Sequence, residues 1–408
     1  MSFADFCGFL SISTHIFTEI VIFSILLLVS EIATWICTAF LEGLCGALQD
    51  QRDLLGGLDL QFAGENGVGD GVVREVMSLV VDELCDENTG LFVQGTDAER
   101  RLHPSAKSAV QLDHLAYFEL VGKLIGVALG GHKHLPASFS IPLLKEVIRI
   151  PLAVDDLRGI DSQLHRNVVE YHRGLTESEL AGQGLNFTYQ EERFGHVEVV
   201  DLLGCGGEDE TVETHRELEK YLKALSHYMM VRRVDKQMAA LRQGLGSIVP
   251  DALLAAAGKC FSAMEFGVLI SGIDVFDDEM VDDLQRYTRY EGYEAGNEVI
   301  IRFWSIVRHH FNSKQRAALL TFVHGCPRIP TRGFQHLPGY NGAVHHFTIV
   351  WVESPTEGSE LREAYPRAQT CFNKLFLPAY RTEAEMETRL CVVIENNTGG
   401  FDEAAVAA

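Results

Sequence analysis

The chain has 408 residues, and its 34 lysines and arginines against 57 aspartates and glutamates give a formal net charge of −23 at pH 7. Hydrophobic residues make up 47% of the chain, enough to form the cores of two or three packed units. The negative charge argues against nonspecific binding to nucleic acid, because a phosphate backbone would be repelled, and it favours partners with basic surfaces.

The cysteine pattern argues against cross-links by disulfide or metal. The nine cysteines are odd in number, and no two of them form a C-x-x-C pair. Neither a disulfide framework nor a structural zinc site is therefore expected, and we predict no metal and no cofactor. A reducing compartment, and so a cytoplasmic location, is the simplest interpretation.

The first 57 residues form an apolar N-terminal segment that differs from the rest of the chain. Residues 18–48 are almost wholly apolar, but Glu19, Glu31 and Glu42 interrupt them. A membrane span needs about 20 apolar residues without a central charge, and Glu31 breaks that pattern. Three interpretations stay open: a membrane anchor, a hydrophobic helix packed on the following domain, and an incorrectly assigned start of the coding sequence.

After this segment the sequence has the patterns of an ordinary globular protein. The elements predicted first are a strand at 58–62, a glycine-rich turn at 64–71 and a helix over 72–85. Apolar spacing predicts a second helix over 113–126, in which Gly122 and Gly126 lie four residues apart and allow close helix packing.

The middle and the end of the chain alternate between strand and helix patterns. Two strands are predicted at 185–189 and 197–200. A capping box at Thr214 then begins a long amphipathic helix that continues to the glycines at 244–246. Residues 290–296 carry Gly292 and Gly296 without apolar periodicity and are a candidate boundary. The later elements are a strand at 347–349 and a helix or strand pair at 386–394.

The segment 366–378 places one cysteine between a polar stretch and an apolar run. Residues 367–370 are polar and predict a loop, whereas residues 375–377 predict a short buried strand. A loop beside a strand end is a common position for a reactive side chain. An exposed thiol at Cys371 can act as a nucleophile through its thiolate. Local sequence leaves open the alternative that Cys371 is a small buried hydrophobic residue.

This segment resembles the active-site segment of HECT-type ubiquitin-protein ligases, which commonly reads L-P-R-A-H-T-C-F-N-x-L-x-L-P-x-Y. The matching residues are Pro366, Arg367, Ala368, Thr370, Cys371, Phe372, Asn373, Leu375, Leu377, Pro378 and Tyr380. An early stretch is similar to the family's F-x-G-E-x-G-x-D-x-G-G-x-x-R-E, with matches at Phe62, Gly64, Glu65, Gly67, Asp70, Gly71, Arg74 and Glu75. The resemblance runs from about Leu58 to Phe401. Two departures are Gln369, where the family usually has histidine, and His324, where it usually has threonine.

The resemblance implies an α+β, bilobal HECT-like fold. It has a large, mostly helical N-lobe with a small subdomain that binds the ubiquitin-conjugating enzyme, then a hinge and a small α/β C-lobe. The implied boundaries are 58–289 for the N-lobe, about 183–265 for its subdomain, 290–296 for the hinge and 297–408 for the C-lobe. Gly292 and Gly296 are the implied hinge glycines.

The resemblance also implies a reaction at Cys371, which would accept ubiquitin as a glycyl thioester and pass it to a substrate lysine. Arg367, Gln369 and Thr370 are the implied supporting residues, and Thr370 either hydrogen-bonds the thioester carbonyl or orders the loop. Gln369 cannot carry a proton at neutral pH, so discharge to lysine is expected to be slow if the family's histidine shuttles protons. Near the end of the chain, Phe401 and Asp402 resemble a tail that helps to orient the acceptor lysine.

The implied partners are a ubiquitin-conjugating enzyme, ubiquitin and protein substrates, with no nucleic acid and with membrane association possible through residues 18–48. The alternative to an active ligase is a catalytically weakened HECT-like scaffold that binds the conjugating enzyme or ubiquitin, and Gln369 and His324 motivate it. A cysteine protease is less favoured, because no Cys-His-Asn pattern lies near Cys371, although a dyad with His345 or His346 stays open.

Overall fold

The structure is a computed structural model, and the residues it describes are 18–20, 60–62, 70–96, 100–131, 133–193, 195–353 and 365–396. Within this part the chain mixes helices and strands, as the α+β prediction requires. Several predictions lie outside the described residues: the apolar segment after residue 20, most of the turn at 64–71, and both Phe401 and Asp402.

The helices follow the predicted patterns in most of the described chain. They are α1 (Asp70–Cys85), α2 (His114–Gly131), α3 (Ile141–Val147), α4 (Ser162–Leu164), α5 (Tyr171–Arg173), α6 (Glu177–Ala181), α7 (His215–Met230), α8 (Asp235–Gly246), α9 (Asp251–Cys260), α10 (Ala263–Ser271), α11 (Asp278–Tyr287), α12 (Glu298–Ser305), α13 (Ser313–His324) and α14 (Glu383–Asn396). Of the described helices, none is by itself long and apolar enough to cross a membrane, whereas α9 and α10 pass that test as a pair bent by 119°.

The strands form small sheets. They are β1 (Thr18–Ile20), β2 (Leu60–Phe62), β3 (Phe92–Gln94), β4 (Leu102–Pro104), β5 (Thr188–Arg193), β6 (His196–Asp201), β7 (Arg289–Glu291), β8 (Thr348–Val352), β9 (Arg367–Gln369) and β10 (Lys374–Pro378). β1 pairs with β2 in parallel, while β3 with β4 and β5 with β6 form antiparallel pairs. The largest described sheet has the order β7-β8-β10-β9.

The chain separates into two compact units. The first comprises residues 1–81, 127–136 and 268–408, and the second comprises residues 82–126 and 137–267. The lobe and hinge boundaries implied by the resemblance stay predictions.

In the second unit, glycines allow α2 and α8 to pack backbone against backbone. A Cβ added at Gly122 of α2 would overlap the main-chain oxygen of Leu241, and one at Gly244 of α8 would overlap that of Glu119. Gly126 lies against a side chain that follows α8. The close packing predicted from the spacing of Gly122 and Gly126 is therefore confirmed.

The long helix predicted from Thr214 to residues 244–246 is interrupted. The capping box is confirmed, since Thr214 and Glu217 bond each other's backbone amides. At Val231 the backbone leaves the helical region, with φ −131° and ψ −60°. Arg232, which follows the break, donates through its exposed guanidinium to the main-chain oxygen of Asp201 at 2.8 Å. A helix resumes as α8.

In the first unit, the four-stranded sheet packs on helices around one apolar core. Leu375 and Leu377 of β10 are fully buried there, which confirms the predicted strand at 375–377. The loop predicted at 367–370 is wrong for its first three residues, which form β9 antiparallel to β10. β9 is the edge strand of this sheet, and half-buried Ala368 lies there between exposed Arg367 and Gln369. The polar side chains of this strand conceal its period of two.

We expect Gly122→Ala to destabilise the protein by roughly 1–3 kcal/mol, because the added methyl meets backbone atoms of α8 that cannot rotate away. Gly246→Ala is the matched control, since that helical glycine has open space around its Cβ position. Alanine there should be neutral or stabilise by up to ~1 kcal/mol. Urea denaturation gives both free energies of unfolding, and equal effects would contradict the close packing.

Candidate functional site

Cys371 lies in the tight return between β9 and β10. A 3-10 turn covers Thr370–Phe372, and Asn373 then adopts the left-handed conformation, with φ 53° and ψ 40°. Below the return, Gln369 pairs with Lys374 across the two strands. The Cys371 side chain is partly exposed, so a rigid sheet presents a thiol that a reactant can approach, as a nucleophile requires.

The Asn373 side chain holds this return in place. It is fully buried, and its Nδ2 donates to the main-chain oxygens of Pro338 at 3.0 Å and His345 at 2.6 Å. Its Oδ1 lies 2.9 Å from Nδ1 of His324, and its carbonyl accepts from the amide of Thr348 at 2.9 Å. One side chain therefore ties the turn to the end of α13 and to the loop before β8.

These contacts fix the tautomer of His324. Because Nδ2 of Asn373 faces two carbonyl oxygens, Oδ1 must accept, and so Nδ1 of His324 carries the hydrogen and donates. His324 is 2% exposed. Its burial, and next the charge of Arg74, lower the pKa of His324 well below the ordinary 6.5. The imidazole is therefore a neutral donor at physiological pH.

Arg74 of α1 reaches the same turn from the other side. It is only 3% exposed, and its Nε donates to the main-chain oxygen of His324 at 2.9 Å. Its Nη2 donates to the main-chain oxygen of Thr370, the residue before the cysteine, at 3.0 Å. The buried guanidinium thus supplies donors to two carbonyls at the ends of a helix and of a strand.

The aromatic ring after the cysteine is also fixed. Phe372 stacks on Tyr340 at 5.8 Å between ring centroids and meets the edge of the His345 ring at 5.4 Å. The ring of His346 stacks on Tyr287 at 6.4 Å. Both histidines considered for a dyad with Cys371 thus have ring contacts with aromatic side chains, and the dyad stays an untested alternative.

The predicted supporting residues are only partly brought together. Gln369 and Arg367 are exposed on β9, and Thr370 is half-buried with its carbonyl turned to Arg74. Gly292 follows β7 with φ 77°, and a Cβ there would meet that of Trp351 at 2.8 Å, whereas Gly296 has open space. Their roles in catalysis and as a hinge stay predictions.

Sequence reasoning missed the two residues with most contacts to the turn. Asn373 and Arg74 were recognised only as matches to family patterns and received no role. A signal for Asn373 existed, because asparagine is enriched at left-handed positions after tight turns. Arg74 offered no local signal, since its acceptors lie 250 and 296 residues away. Within the described ranges, no group of three or more histidine, cysteine or carboxylate side chains could hold a metal ion.

Comparisons with known proteins cover most of the chain. Residues 78–404 match the family model described as HECT-domain (ubiquitin-transferase). The chain is 32% identical to E3 ubiquitin-protein ligase RSP5 of Emericella nidulans over 86% of this chain and 40% of that protein. It is also 32% identical to the probable E3 ubiquitin-protein ligases hulA of Aspergillus terreus and Aspergillus niger, over 86% of this chain and 41% and 40% of theirs. The chain thus spans about two fifths of the length of these relatives.

The buried His324 should make stability fall in mild acid. Its folded-state pKa is lowered, so below about pH 6.5 the unfolded state binds a proton that the folded state excludes, and stability is lost as pH falls. From pH 7 to 5.5, wild type should lose roughly 1 kcal/mol more free energy of unfolding than His324→Gln, whose amide still donates to Asn373.

Urea denaturation at both pH values measures the difference. His336→Gln, at an exposed imidazole, controls for removal of a histidine as such. If wild type and His324→Gln lose equal stability between the two pH values, His324 is not held neutral by the fold.

Proposed function

Because the chain belongs to the HECT-domain family of ubiquitin transferases, we propose that it is a ubiquitin-protein ligase that uses Cys371. It accepts ubiquitin from a conjugating enzyme as a thioester on Cys371 and transfers it to a lysine of a protein substrate. The observation that carries this proposal is the partly exposed Cys371 in a turn that buried Asn373 and Arg74 hold from two sides.

The first step exchanges one thioester for another. The Cys371 thiolate attacks the carbonyl carbon of the ubiquitin thioester, a new carbon–sulfur bond forms, and the cysteine of the conjugating enzyme leaves as a thiolate. One thioester replaces another, so the free energy changes little and no side chain has to move a proton. The enzyme's contribution is orientation, which can supply ~7–11 kcal/mol when the reactants are well placed.

The second step needs a proton to leave. A lysine amine attacks the Cys371 thioester, the carbon–nitrogen bond forms, the ammonium loses a proton, and Cys371 leaves as a thiolate. Amide formation makes this step downhill. Gln369 is exposed beside the turn, but an amide cannot take up the proton. Solvent or another base must therefore accept it.

The finer architecture belongs to the same proposal. We assign an N-lobe to 58–289, a hinge to 290–296 and a C-lobe to 297–408, so that Cys371 meets donor and acceptor in turn. The positive φ of Gly292 and the open space at Gly296 support the hinge. In the subdomain at 183–265, Val197 and Val199 of β6 are 66% and 54% exposed and offer an apolar surface to the conjugating enzyme. We place the protein in the cytoplasm.

The ligase is tested by mixing the protein with a thioester-charged conjugating enzyme and running a nonreducing gel. We expect a band shifted by one ubiquitin that thiol removes and that Cys371→Ala abolishes. Cys205→Ala and Cys260→Ala are matched controls, because both thiols are exposed but lie outside the turn, and they should leave the band unchanged. Binding of the conjugating enzyme without any such band would instead support the weakened scaffold.

Gln369→His should accelerate the second step alone. A histidine at this exposed strand end titrates near neutral pH and can accept the lysine proton, and general bases typically contribute 10²–10⁴-fold. We expect discharge of preformed Cys371 thioester to free lysine to rise by roughly 10- to 100-fold at pH 7.5, with thioester formation unchanged. Gln369→Asn, which also lacks a titratable group, should behave as wild type. Equal discharge rates for all three proteins would show that proton transfer does not limit the second step.

A further inference from the structure

We propose that Arg74 is a positioning residue for thioester formation at Cys371, a role that rests on the proposed function. Arg74 lies in the segment assigned to the N-lobe and its acceptor Thr370 in the segment assigned to the C-lobe, so the role applies to the lobe arrangement in which these two residues are bonded. Through its Nη2 bond to the main-chain oxygen of Thr370, Arg74 sets the orientation of the peptide plane that leads into the cysteine. Through its Nε bond to the main-chain oxygen of His324, the guanidinium itself is held in place.

Arg74 carries its positive charge in a buried position. A guanidinium that is 3% exposed is stable only where its donors have acceptors, because charged groups are costly to remove from water. The acceptors include two main-chain oxygens, and one of them belongs to His324, the last residue of α13. Carbonyls at a helix C-terminus carry partial negative charge and lack partners within the helix. Arg74 therefore fits a place that the fold itself makes electronegative.

The second acceptor, the main-chain oxygen of Thr370, links Arg74 to the residue that carries the thiol. The carbonyl and amide of one peptide unit are coplanar and point in opposite directions. Fixing the Thr370 oxygen on Arg74 therefore also fixes the direction of the Cys371 amide and the position of the Cys371 Cα, which carries the side chain. The amide of Asn373 approaches the same oxygen at 3.5 Å, so the start and the end of the 3-10 turn share one anchor.

An arginine that only stabilises the fold would be buried to a similar extent, and the chain contains such an arginine for comparison. Arg316 of α13 is 7% exposed and donates to the main-chain oxygens of Val307 at 2.9 Å and Phe276 at 3.1 Å. It also donates to Asp278 and to the main-chain oxygen of Arg308, so it is a buried arginine in the same unit whose acceptors lie outside the Cys371 turn. Loss of either arginine should destabilise the fold, but only Arg74 should change the chemistry.

The test compares Arg74→Gln with Arg316→Gln in the full chain. Single-turnover transfer of ubiquitin from charged conjugating enzyme gives the maximal rate constant and the half-saturating concentration, each normalised to folded protein. We expect Arg74→Gln to lower the maximal rate constant by roughly 10- to 100-fold without changing the half-saturating concentration. Arg316→Gln should leave both unchanged. Arg74→Lys, which keeps the charge and can reach one oxygen, should recover part of the rate.

A second readout does not require ubiquitin. The rate of Cys371 alkylation by iodoacetamide, followed by peptide mass spectrometry relative to exposed Cys205 in the same molecules, should change in Arg74→Gln and not in Arg316→Gln. If wild type forms no thioester, the proposed function fails and this ratio alone decides the role of Arg74. If Arg74→Gln does not fold, the comparison of Arg74→Lys with Arg316→Lys replaces that of the two glutamine variants. Wild-type rates in the Arg74 variant, or equal losses in both arginine variants, overturn the proposal.

Discussion

The turn that carries Cys371 depends on one buried amide. Asn373 combines two properties that few residues share: it tolerates the left-handed conformation, and its side chain offers two donors and an acceptor in one plane. Here all of these are used, on Pro338, His345 and His324. Aspartate would turn a second oxygen toward two carbonyls, and glycine would keep the backbone but leave buried groups unpaired at a cost of about 1–3 kcal/mol each. Asparagine is therefore what this geometry requires.

The buried polar groups around the turn form one satisfied network. Arg74 supplies donors to carbonyls, Asn373 joins three segments, and neutral His324 is placed between them as a donor. Burial, and next the charge of Arg74, lower the pKa of His324, so the network has one preferred protonation state. Fully satisfied buried networks are rigid and specify one arrangement, which is how a short turn between two strands can hold a thiol in a defined direction.

Sequence patterns predicted the parts of this site that are local. The apolar run from Leu375 to Leu377 indicated β10, the glycine spacing in α2 indicated close packing, and the family resemblance singled out Cys371. β9 was missed because its polar side chains lie on a sheet edge, where hydrophobic pattern is weakest. Nothing in the local sequence marks the break at Val231, and the bonds of Arg74 could not be predicted, since its acceptors lie far away in the sequence. Such contacts exist only once the fold has formed.

The two departures from the family pattern differ in what they affect. His324 stands inside the network and takes a structural part, because its donor completes the bonding of Asn373. Gln369 stands outside it: its backbone pairs with Lys374 across the two strands, and its side chain is exposed at the end of β9. In the proposed reaction, thioester exchange requires a well-placed sulfur, and the network holds the turn of Cys371 without the Gln369 side chain. Attack by an amine also requires a proton acceptor. The rate of the proposed second step therefore depends on which group beside the turn can accept a proton.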